Sequence, residues 1–266
     1  MTTQKAHAAQ FATLHVPGTP LILFNIWDAG SAKAVAESGA TAIATGSWSV
    51  AAANGYTDGE TLPLELVLAN AQRIVRAVHL PVSIDFESGY GFDPDAIESS
   101  FAKLIETGAI GANLEDQIQG TDQLFSIDAQ CARIRAARRA ANRADVAFFI
   151  NARTDIFLKR APENHNSVEL KDALEEAMER ARAYAEAGAS GFFVPGLRDA
   201  TMIEQICAHS PMPVNIMAAL SLSPSTSTTP STNVLAQCGV ARISYGPGPY
   251  RQMMAALMAA GKQVLG

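Results

Sequence analysis

The chain is poor in cysteine, and this scarcity bounds the kind of fold it forms. Its 266 residues include three cysteines, which are far apart in the sequence, at Cys131, Cys207 and Cys238. An odd number of widely separated cysteines forms neither a disulfide framework nor a typical zinc site. Each of the three also falls within a helix-like pattern. The sequence therefore favours free thiols in a reducing cytoplasm.

Basic charge and long apolar runs are also lacking. The chain has 20 Lys and Arg residues against 26 Asp and Glu residues, a net charge of −6, which disfavours a nucleic-acid surface. No apolar run approaches the length of about 20 residues that a transmembrane helix needs. The N-terminal residues lack the apolar segment of a secretory signal. We expect a cytoplasmic protein that binds neither nucleic acid nor membrane.

What the chain does have is an alternation of short apolar runs with longer amphipathic ones. This pattern predicts buried parallel strands joined by helices. It indicates one (β/α)8 TIM-type barrel over residues 1–266, with 1–20 as an N-terminal extension and 249–264 as the last helix. A doubly wound open sheet is the alternative. The predicted strands are 21–27, 41–48, 81–88, 110–117, 146–156, 191–197, 213–218 and 241–247.

Carboxylates follow two neighbouring predicted strands. Asp85 and Glu87 are two positions apart and share a face of strand three, and Glu115 ends strand four. Catalytic groups of a barrel lie at the C-terminal strand ends, so these side chains should converge. Like charges on a buried face need a cation, and Mg²⁺ prefers oxygen ligands. We expect a Mg²⁺ site, with Mn²⁺ as a substitute; the alternative is that these carboxylates cap the following helices.

The same edge carries further candidate site residues. Ser47 and Trp48 end strand two, Arg153 lies on strand five and Asn215 on strand seven. A guanidinium binds a carboxylate or phosphonate bidentately, and Asp155, two positions on, would orient Arg153. A salt bridge between barrel layers is the alternative reading. None of the five histidines falls at a strand end, so no Ser-His-Asp or Cys-His arrangement is indicated.

Two segments after strands have the composition of loops. Residues 51–62 contain Asp58 between polar residues and glycines, which predicts a lid that swings over the site. The alternative is a fixed turn in which Asp58 caps the next helix. Residues 220–232 are rich in Ser, Thr and Pro, which is typical of a solvated loop or of one that meets a substrate anion.

Five motifs in this order resemble one family. They are TGSW from residue 45, TDGETLP from 57, IDFESGYG from 84, ANLEDQ from 112 and INARTDIF from 150. Together they resemble the isocitrate lyase and phosphoenolpyruvate mutase superfamily over nearly the whole chain. The lyases' Lys-Lys-Cys-Gly-His-type loop and the mutases' longer loop are both missing after Glu115. The chain therefore resembles a short, divergent branch.

The resemblance also implies roles for single residues. Asp85, Glu87 and Glu115 match the Mg²⁺-site carboxylates, some of which act through water. Ser47 and Trp48 match the backbone that binds the substrate carboxylate, and Arg153 matches the arginine on the same anion. Asp58 matches the mobile-loop aspartate placed beside the reacting group.

The resulting functional expectation is a Mg²⁺-dependent enzyme for a small α-keto or α-hydroxy acid. It would break a C–C or C–P bond beside the keto acid through an enolate-like intermediate, as a lyase, decarboxylase or hydrolase. The alternatives are a carboxyphosphonate or phosphoenolpyruvate phosphonomutase, a ketoacid-binding barrel with little turnover, and a metal-free structural barrel. A Met-rich apolar stripe in 249–264 also predicts a homodimer or homotetramer.

Overall fold

The computed structural model describes residues 3–159, 167–220 and 229–266, and its sheet is a barrel. Eight parallel strands follow the order β1-β8-β7-β6-β5-β4-β3-β2. A parallel bridge between Ile26 and Thr45 joins the two ends of this order, so the predicted (β/α)8 barrel is confirmed and an open sheet is excluded. The strands are β1 Leu21–Leu23, β2 Ile43–Ala44, β3 Val82–Asp85, β4 Gly111–Glu115, β5 Phe149–Arg153, β6 Gly191–Phe193, β7 Val214–Met217 and β8 Arg242–Ser244.

Helices surround this barrel and separate its strands. They are α1 Thr3–Thr13, α2 Ala29–Glu37, α3 Ser47–Ala53, α4 Leu64–Ala77, α5 Pro94–Glu106, α6 Ile127–Arg143, α7 Ile156–Lys159, α8 Ser167–Glu186, α9 Ala200–His209, α10 Thr232–Gln237 and α11 Gly248–Leu265. No helix within the described ranges is long and apolar enough to cross a bilayer.

Local sequence signals explain where these helices start and stop, as α5 illustrates. The carboxylate of Asp93 accepts a hydrogen bond from the amide of Ala96 at 2.9 Å, and Pro94 occupies the first turn. The chain leaves the helix at Gly108, whose φ of +94° is easily reached by a glycine. One apolar face is buried between these ends, formed by Ile97, Phe101, Leu104 and Ile105.

The N-terminal extension contains a helix that the sequence analysis did not predict. Phe11 of α1 is fully buried, and its ring centroid lies 5.4 Å from that of Phe149 at the start of β5. The side-chain amide of Gln4 donates to the carbonyls of Ile105 and Ala109 at 2.7 and 2.9 Å. Helix α1 thus packs at the N-terminal end of the strands, away from the C-terminal strand ends.

Strand two is much shorter than predicted. We expected a strand over 41–48, but β2 ends at Ala44, and Ser47 and Trp48 form the first turn of α3. Gly46 is extended, with φ −124°, and the segment after it is rich in alanine, the residue with the highest helix propensity. Most of the predicted loop 220–232 lies outside the described residues.

Candidate active site

A cavity of about 190 Å³ lies at the C-terminal ends of the strands. Its lining brings together five residues that the sequence analysis selected from four separate motifs: Ser47, Trp48, Asp58, Asp85 and Arg153. Apolar side chains complete the wall on the side of strands six to eight, among them Leu158, Phe193, Pro195, Met217 and Pro247. The cavity therefore combines one charged side with one apolar side.

Asp85 makes hydrogen bonds to three neighbours, two of them through its carboxylate. Its Oδ2 accepts a hydrogen bond from the amide of Ser47 at 2.9 Å, and its Oδ1 accepts one from Nδ2 of Asn113, also at 2.9 Å. Its own amide donates to the hydroxyl of Thr45 at 2.8 Å. Sequence reasoning missed Asn113, although its position two residues before Glu115 places both on one face of β4.

The amide of Ser47 is consequently occupied. We expected the backbone at Ser47 and Trp48 to bind the substrate carboxylate, but the Ser47 amide donates to Asp85 instead. The indole of Trp48 packs beneath the guanidinium of Arg251, whose Cζ lies 4.5 Å from the ring centroid. Of the two predicted amides, that of Trp48 remains as the candidate for an anion.

Arg153 is surrounded by acidic side chains. Its Nε and Nη2 lie 2.5 and 2.8 Å from the two carboxylate oxygens of Asp155, which orients the guanidinium as predicted. Its Nη1 lies 2.8 Å from Oε2 of Glu115 and 4.0 Å from Oδ1 of Asp85. Burial alone would lower the pKa of Arg153, but these carboxylates outweigh it and raise that pKa well above its ordinary value.

The contact between Arg153 and a substrate anion stays a prediction, and Asp155 limits the edge of the guanidinium that is open to it. A guanidinium binds a carboxylate bidentately along one of its planar edges, and Asp155 occupies the edge formed by Nε and Nη2. A substrate anion would instead meet Arg153 on the side of Nη1.

Glu115 and Glu87 are buried beside the cavity rather than on its lining. Glu115 is paired with Arg153, and its Oε1 accepts a hydrogen bond from Nε2 of Gln119 at 2.6 Å. Burial raises the pKa of Glu115 well above its usual range, and the charge of Arg153 opposes that rise. The side chain of Glu87 turns away toward Gly59 and Glu60, and its Oε2 accepts hydrogen bonds from their amides at 2.7 and 2.6 Å.

The donor set fits a divalent cation only in part. In the described residues, no group of three or more His, Cys, Asp and Glu side chains is arranged to hold a metal ion. Asp58 and Asp85 are the carboxylates on the cavity lining. Mg²⁺ commonly takes one or two protein carboxylates and fills its shell with water and substrate oxygens. Asp85 therefore suits such an ion when water and substrate oxygens complete the shell, whereas direct ligation by Asp85, Glu87 and Glu115 together stays a prediction.

Asp58 faces the cavity rather than capping a helix. The residue at the start of α4 is Pro63, so the alternative in which Asp58 caps that helix is wrong. Burial and the nearby charge of Asp85 raise the pKa of Asp58, while a hydrogen bond from the Ser47 side chain and the charge of Arg153 oppose that rise. The carboxylate of Asp58 thus lies near Ser47 and Arg153, two of the residues expected to bind the substrate.

Asn215 lies deeper than expected. It is buried in the barrel two positions before the cavity-lining Met217, and its Nδ2 donates to the hydroxyl of Ser244 at 3.2 Å. Its Oδ1 accepts from Asn151 at 3.2 Å, and Asn151 also donates to Asn113 at 2.8 Å. Asn215 therefore supports Asn113, which holds Asp85, instead of lining the cavity.

Asn25 is a further residue of the cavity that the sequence analysis missed. Its Oδ1 accepts the amides of Tyr245 and Gly246 at 2.8 and 2.9 Å, and its Nδ2 donates to the carbonyl of Thr45 at 2.8 Å. These bonds tie the ends of β1, β2 and β8 together. A single polar residue after an apolar run was too weak a signal to find it.

The chain matches a known protein family over nearly its whole length. The model of the family described as phosphoenolpyruvate phosphomutase matches residues 11–265. The chain belongs to this family. The resemblance to the isocitrate lyase and phosphoenolpyruvate mutase superfamily is thereby confirmed, and the family is one of enzymes.

Relatives within this superfamily carry different activities. The phosphoenolpyruvate phosphomutase of Streptomyces hygroscopicus is 28% identical over 271 residues, covering 96% of this chain and 79% of that protein. The 2-methylisocitrate lyase of Escherichia coli is 28% identical over 220 residues, covering 76% and 70%. A crystal structure of a candidate phosphonomutase from Burkholderia cenocepacia is 50% identical, covers 98% of this chain and 99% of that one, and superimposes with a TM-score of 0.91.

Proposed function

We propose that this family member is a Mg²⁺-dependent enzyme that cleaves a C–C bond beside the keto group of a small keto acid. The observation that carries the proposal is the charge balance around Arg153. One guanidinium faces the carboxylates of Asp155, Glu115 and Asp85, and Asp58 lies on the same cavity. A cation that binds together with an anionic substrate would offset this surplus of negative charge.

The volume of the cavity restricts the substrate. Drug-sized ligands occupy pockets of about 300–1,000 Å³, and one water molecule takes about 30 Å³ of liquid volume. The cavity of about 190 Å³ thus has room for a small acid. The apolar wall formed by Leu158, Phe193 and Met217 suits the carbon chain of such a molecule.

Each residue then has a defined task. Arg153, through Nη1, and the amide of Trp48 hold the substrate carboxylate. Asn113 and the Ser47 amide fix the carboxylate of Asp85, which would hold the metal. Asp58 positions a water molecule or moves a proton at the reacting carbon. A bound Mg²⁺, or Mn²⁺ in its place, supplies a Lewis acid that stabilises negative charge developing on the keto oxygen.

Calorimetry with Mg²⁺ and oxalate, an enolate mimic, tests this site. Wild-type protein should bind oxalate only when Mg²⁺ is present, and Asp85→Ala should abolish that binding while circular dichroism shows an unchanged fold. Asp95→Ala, on the surface of α5, is the matched control and should bind as wild type does. Equal oxalate affinity in Asp85→Ala and wild type would show that the site is misplaced.

A phosphonomutase is the second candidate, and the likeness to the Burkholderia cenocepacia structure favours it. The two reactions leave different products: a phosphonomutase converts a C–P bond into a phosphate ester, which ³¹P NMR detects, whereas C–C cleavage shortens the carbon chain, which mass spectrometry detects. A barrel that binds oxalate with Mg²⁺ yet converts neither class of substrate would be a binding protein.

A further inference from the structure

Three side chains join the Asp58 loop to the loop after β3, and we name them the clasp: Glu60, Glu87 and Tyr90. Oε2 of Glu87 accepts the amides of Gly59 and Glu60 at 2.7 and 2.6 Å. The carboxylate of Glu60 in return accepts the amide of Tyr90 at 2.8 Å. The Tyr90 hydroxyl donates to Oε1 of Glu87 at 3.1 Å, which completes a closed ring of hydrogen bonds.

One side of the clasp is rigidly anchored. Arg133 of α6 is fully buried, and its Nη1 donates to the carbonyls of Gly91 and Phe92 at 2.7 and 2.6 Å. Its Nη2 donates to the carbonyl of Ser88, and its Cζ lies 4.1 Å from the ring centroid of Phe125. The loop that carries Glu87 and Tyr90 is therefore a fixed support, and residues 58–60 are held against it.

The backbone of the clasp is strained. Glu60, Glu87 and Tyr90 have φ values of 58°, 50° and 54°, in the left-handed region that non-glycine residues seldom adopt. Among the described residues one other non-glycine residue, Asp145, has a positive φ. Each such residue costs about 1 kcal/mol or more and persists where surrounding contacts enforce it. The hydrogen bonds of the clasp are the contacts that enforce it here.

Glu87 is thus committed to the loop. Its carboxylate accepts three hydrogen bonds from the loop and Tyr90, its residue surface is 5% exposed, and it does not line the cavity. The adjoining residue of the loop is Asp58, which does line the cavity. A substitution of Glu87 would therefore change the position of Asp58 before it changed anything else in the cavity.

We propose that Glu87, with Glu60 and Tyr90, is a positioning residue that holds Asp58 at the cavity, and that it does not bind the metal. The inference rests on the proposed function for the task of Asp58. The clasp itself is a property of the ligand-free protein, so it can be tested separately.

Three substitutions of Glu87 separate a clasp from a metal ligand. In Glu87→Gln the amide oxygen still accepts the amides of Gly59 and Glu60, and the amide nitrogen can donate to the Tyr90 oxygen. Glu87→Ala removes every bond, and Glu87→Asp withdraws the carboxylate by one methylene. Glu106→Gln, at an exposed position on α5, is the matched control.

The first measurement is hydrogen exchange of residues 54–62 in protein without metal. Exchange should be close to wild type in Glu87→Gln and at least tenfold faster in Glu87→Ala and Glu87→Asp. The second is calorimetry with Mg²⁺ and oxalate, in which all three variants should bind within about threefold of wild type. Turnover, followed with any keto acid that the wild type cleaves, should be retained in Glu87→Gln and lost in Glu87→Ala, with KM less affected than kcat.

The opposite pattern would overturn the proposal. A metal ligand at residue 87 predicts that Glu87→Gln weakens Mg²⁺–oxalate binding by tenfold or more and leaves loop exchange unchanged. Unchanged exchange in Glu87→Ala would also reject the clasp. If Glu87→Ala does not fold, Tyr90→Phe and Glu60→Ala decide the matter, since each removes one bond of the clasp and should accelerate exchange of residues 54–62. A wild-type protein that binds no oxalate would refute the proposed function and leave the exchange result standing.

Discussion

Nη1 of Arg153 lies 2.8 Å from Oε2 of Glu115, a residue that the sequence analysis assigned to a metal. The pair spans the neighbouring strands β4 and β5, where these two residues are in register. Glu115 therefore acts on the cavity through Arg153, because it pairs with and orients the guanidinium that is expected to hold the substrate. Burial of both partners makes the pair sensitive to the loss of either one.

Replacement of Arg153 should damage stability as well as binding. Arg153→Met leaves the buried carboxylates of Asp155 and Glu115 without their cation, which should reduce the free energy of unfolding by about 3–5 kcal/mol. Oxalate affinity should also fall. Urea denaturation and calorimetry measure both effects, and Arg198→Met, at an exposed position, should change neither. A stable Arg153→Met variant with intact oxalate affinity would contradict this role.

Asp58→Asn should separate turnover from binding. The side chain lines the cavity beside Asp85, and its work belongs to the transition state. We expect turnover to fall by about 100-fold or more, roughly 2.7 kcal/mol, while the oxalate affinity stays within a small factor. Burial and the charge of Asp85 raise the pKa of Asp58. As the pH falls, wild-type activity should therefore be lost at a higher pH than the ordinary pKa of an aspartate would predict. Wild-type turnover in the variant would remove Asp58 from the mechanism.

No cysteine should be catalytic. Burial raises the pKa of all three thiols, that of Cys207 to about 12, which keeps them protonated at neutral pH. None of them lines the cavity. Replacing Cys131, Cys207 and Cys238 with Ala or Ser should leave turnover within a small factor. A 100-fold loss in a variant with an unchanged circular dichroism spectrum would refute this prediction.

His15 should make the barrel less stable in mild acid. Burial and the charge of Arg242 lower its pKa to about 3, against a hydrogen bond to the carbonyl of Phe11. The folded state therefore keeps the imidazole neutral, and the unfolded chain binds a proton below pH 6.5. The contribution of neutral His15 to the free energy of unfolding is fully present above pH 6.5 and is lost as the pH falls toward 3. The loss should be about 2 kcal/mol at pH 5.

Urea denaturation at pH 7 and pH 5 measures this loss. His15→Phe should remove most of the difference between the two pH values, and His79→Gln, at an exposed position, should keep it. An identical pH dependence in His15→Phe and wild type would show that another group is responsible.

We propose that helix α11 mediates a homodimer or homotetramer. Three apolar side chains beyond its first turn face outward: Met253, Leu257 and Met258 are 51%, 64% and 61% exposed. The alternative for such a stripe, a last barrel helix that buries it against its own strands, does not fit these exposures.

Light scattering at micromolar concentration tests this assembly. Wild-type protein should show a multiple of the 28.1 kDa chain mass. Leu257→Glu with Met258→Glu should shift it toward the monomer, while Lys262→Glu should not. A monomeric wild type would reject the assembly.

The barrel and the location of its site were accessible from the sequence because both depend on local periodicity. Continuous apolar runs separated by amphipathic ones specify buried parallel strands. Strand direction then places residues such as Asp85 and Arg153 at one end of the barrel, whatever their neighbours are. These features need no knowledge of how the side chains turn.

Only the tertiary structure decided which partners the side chains take. Glu115 pairs with Arg153, and Glu87 turns to the amides of residues 59 and 60, although both looked alike as strand-end carboxylates. The packing of α1 through Phe11 and the support of Asp85 by Asn113 were equally hidden. The sequence states which chemical groups reach the edge of the sheet, whereas their orientation follows from long-range hydrogen bonds between loops, and no local pattern encodes those bonds.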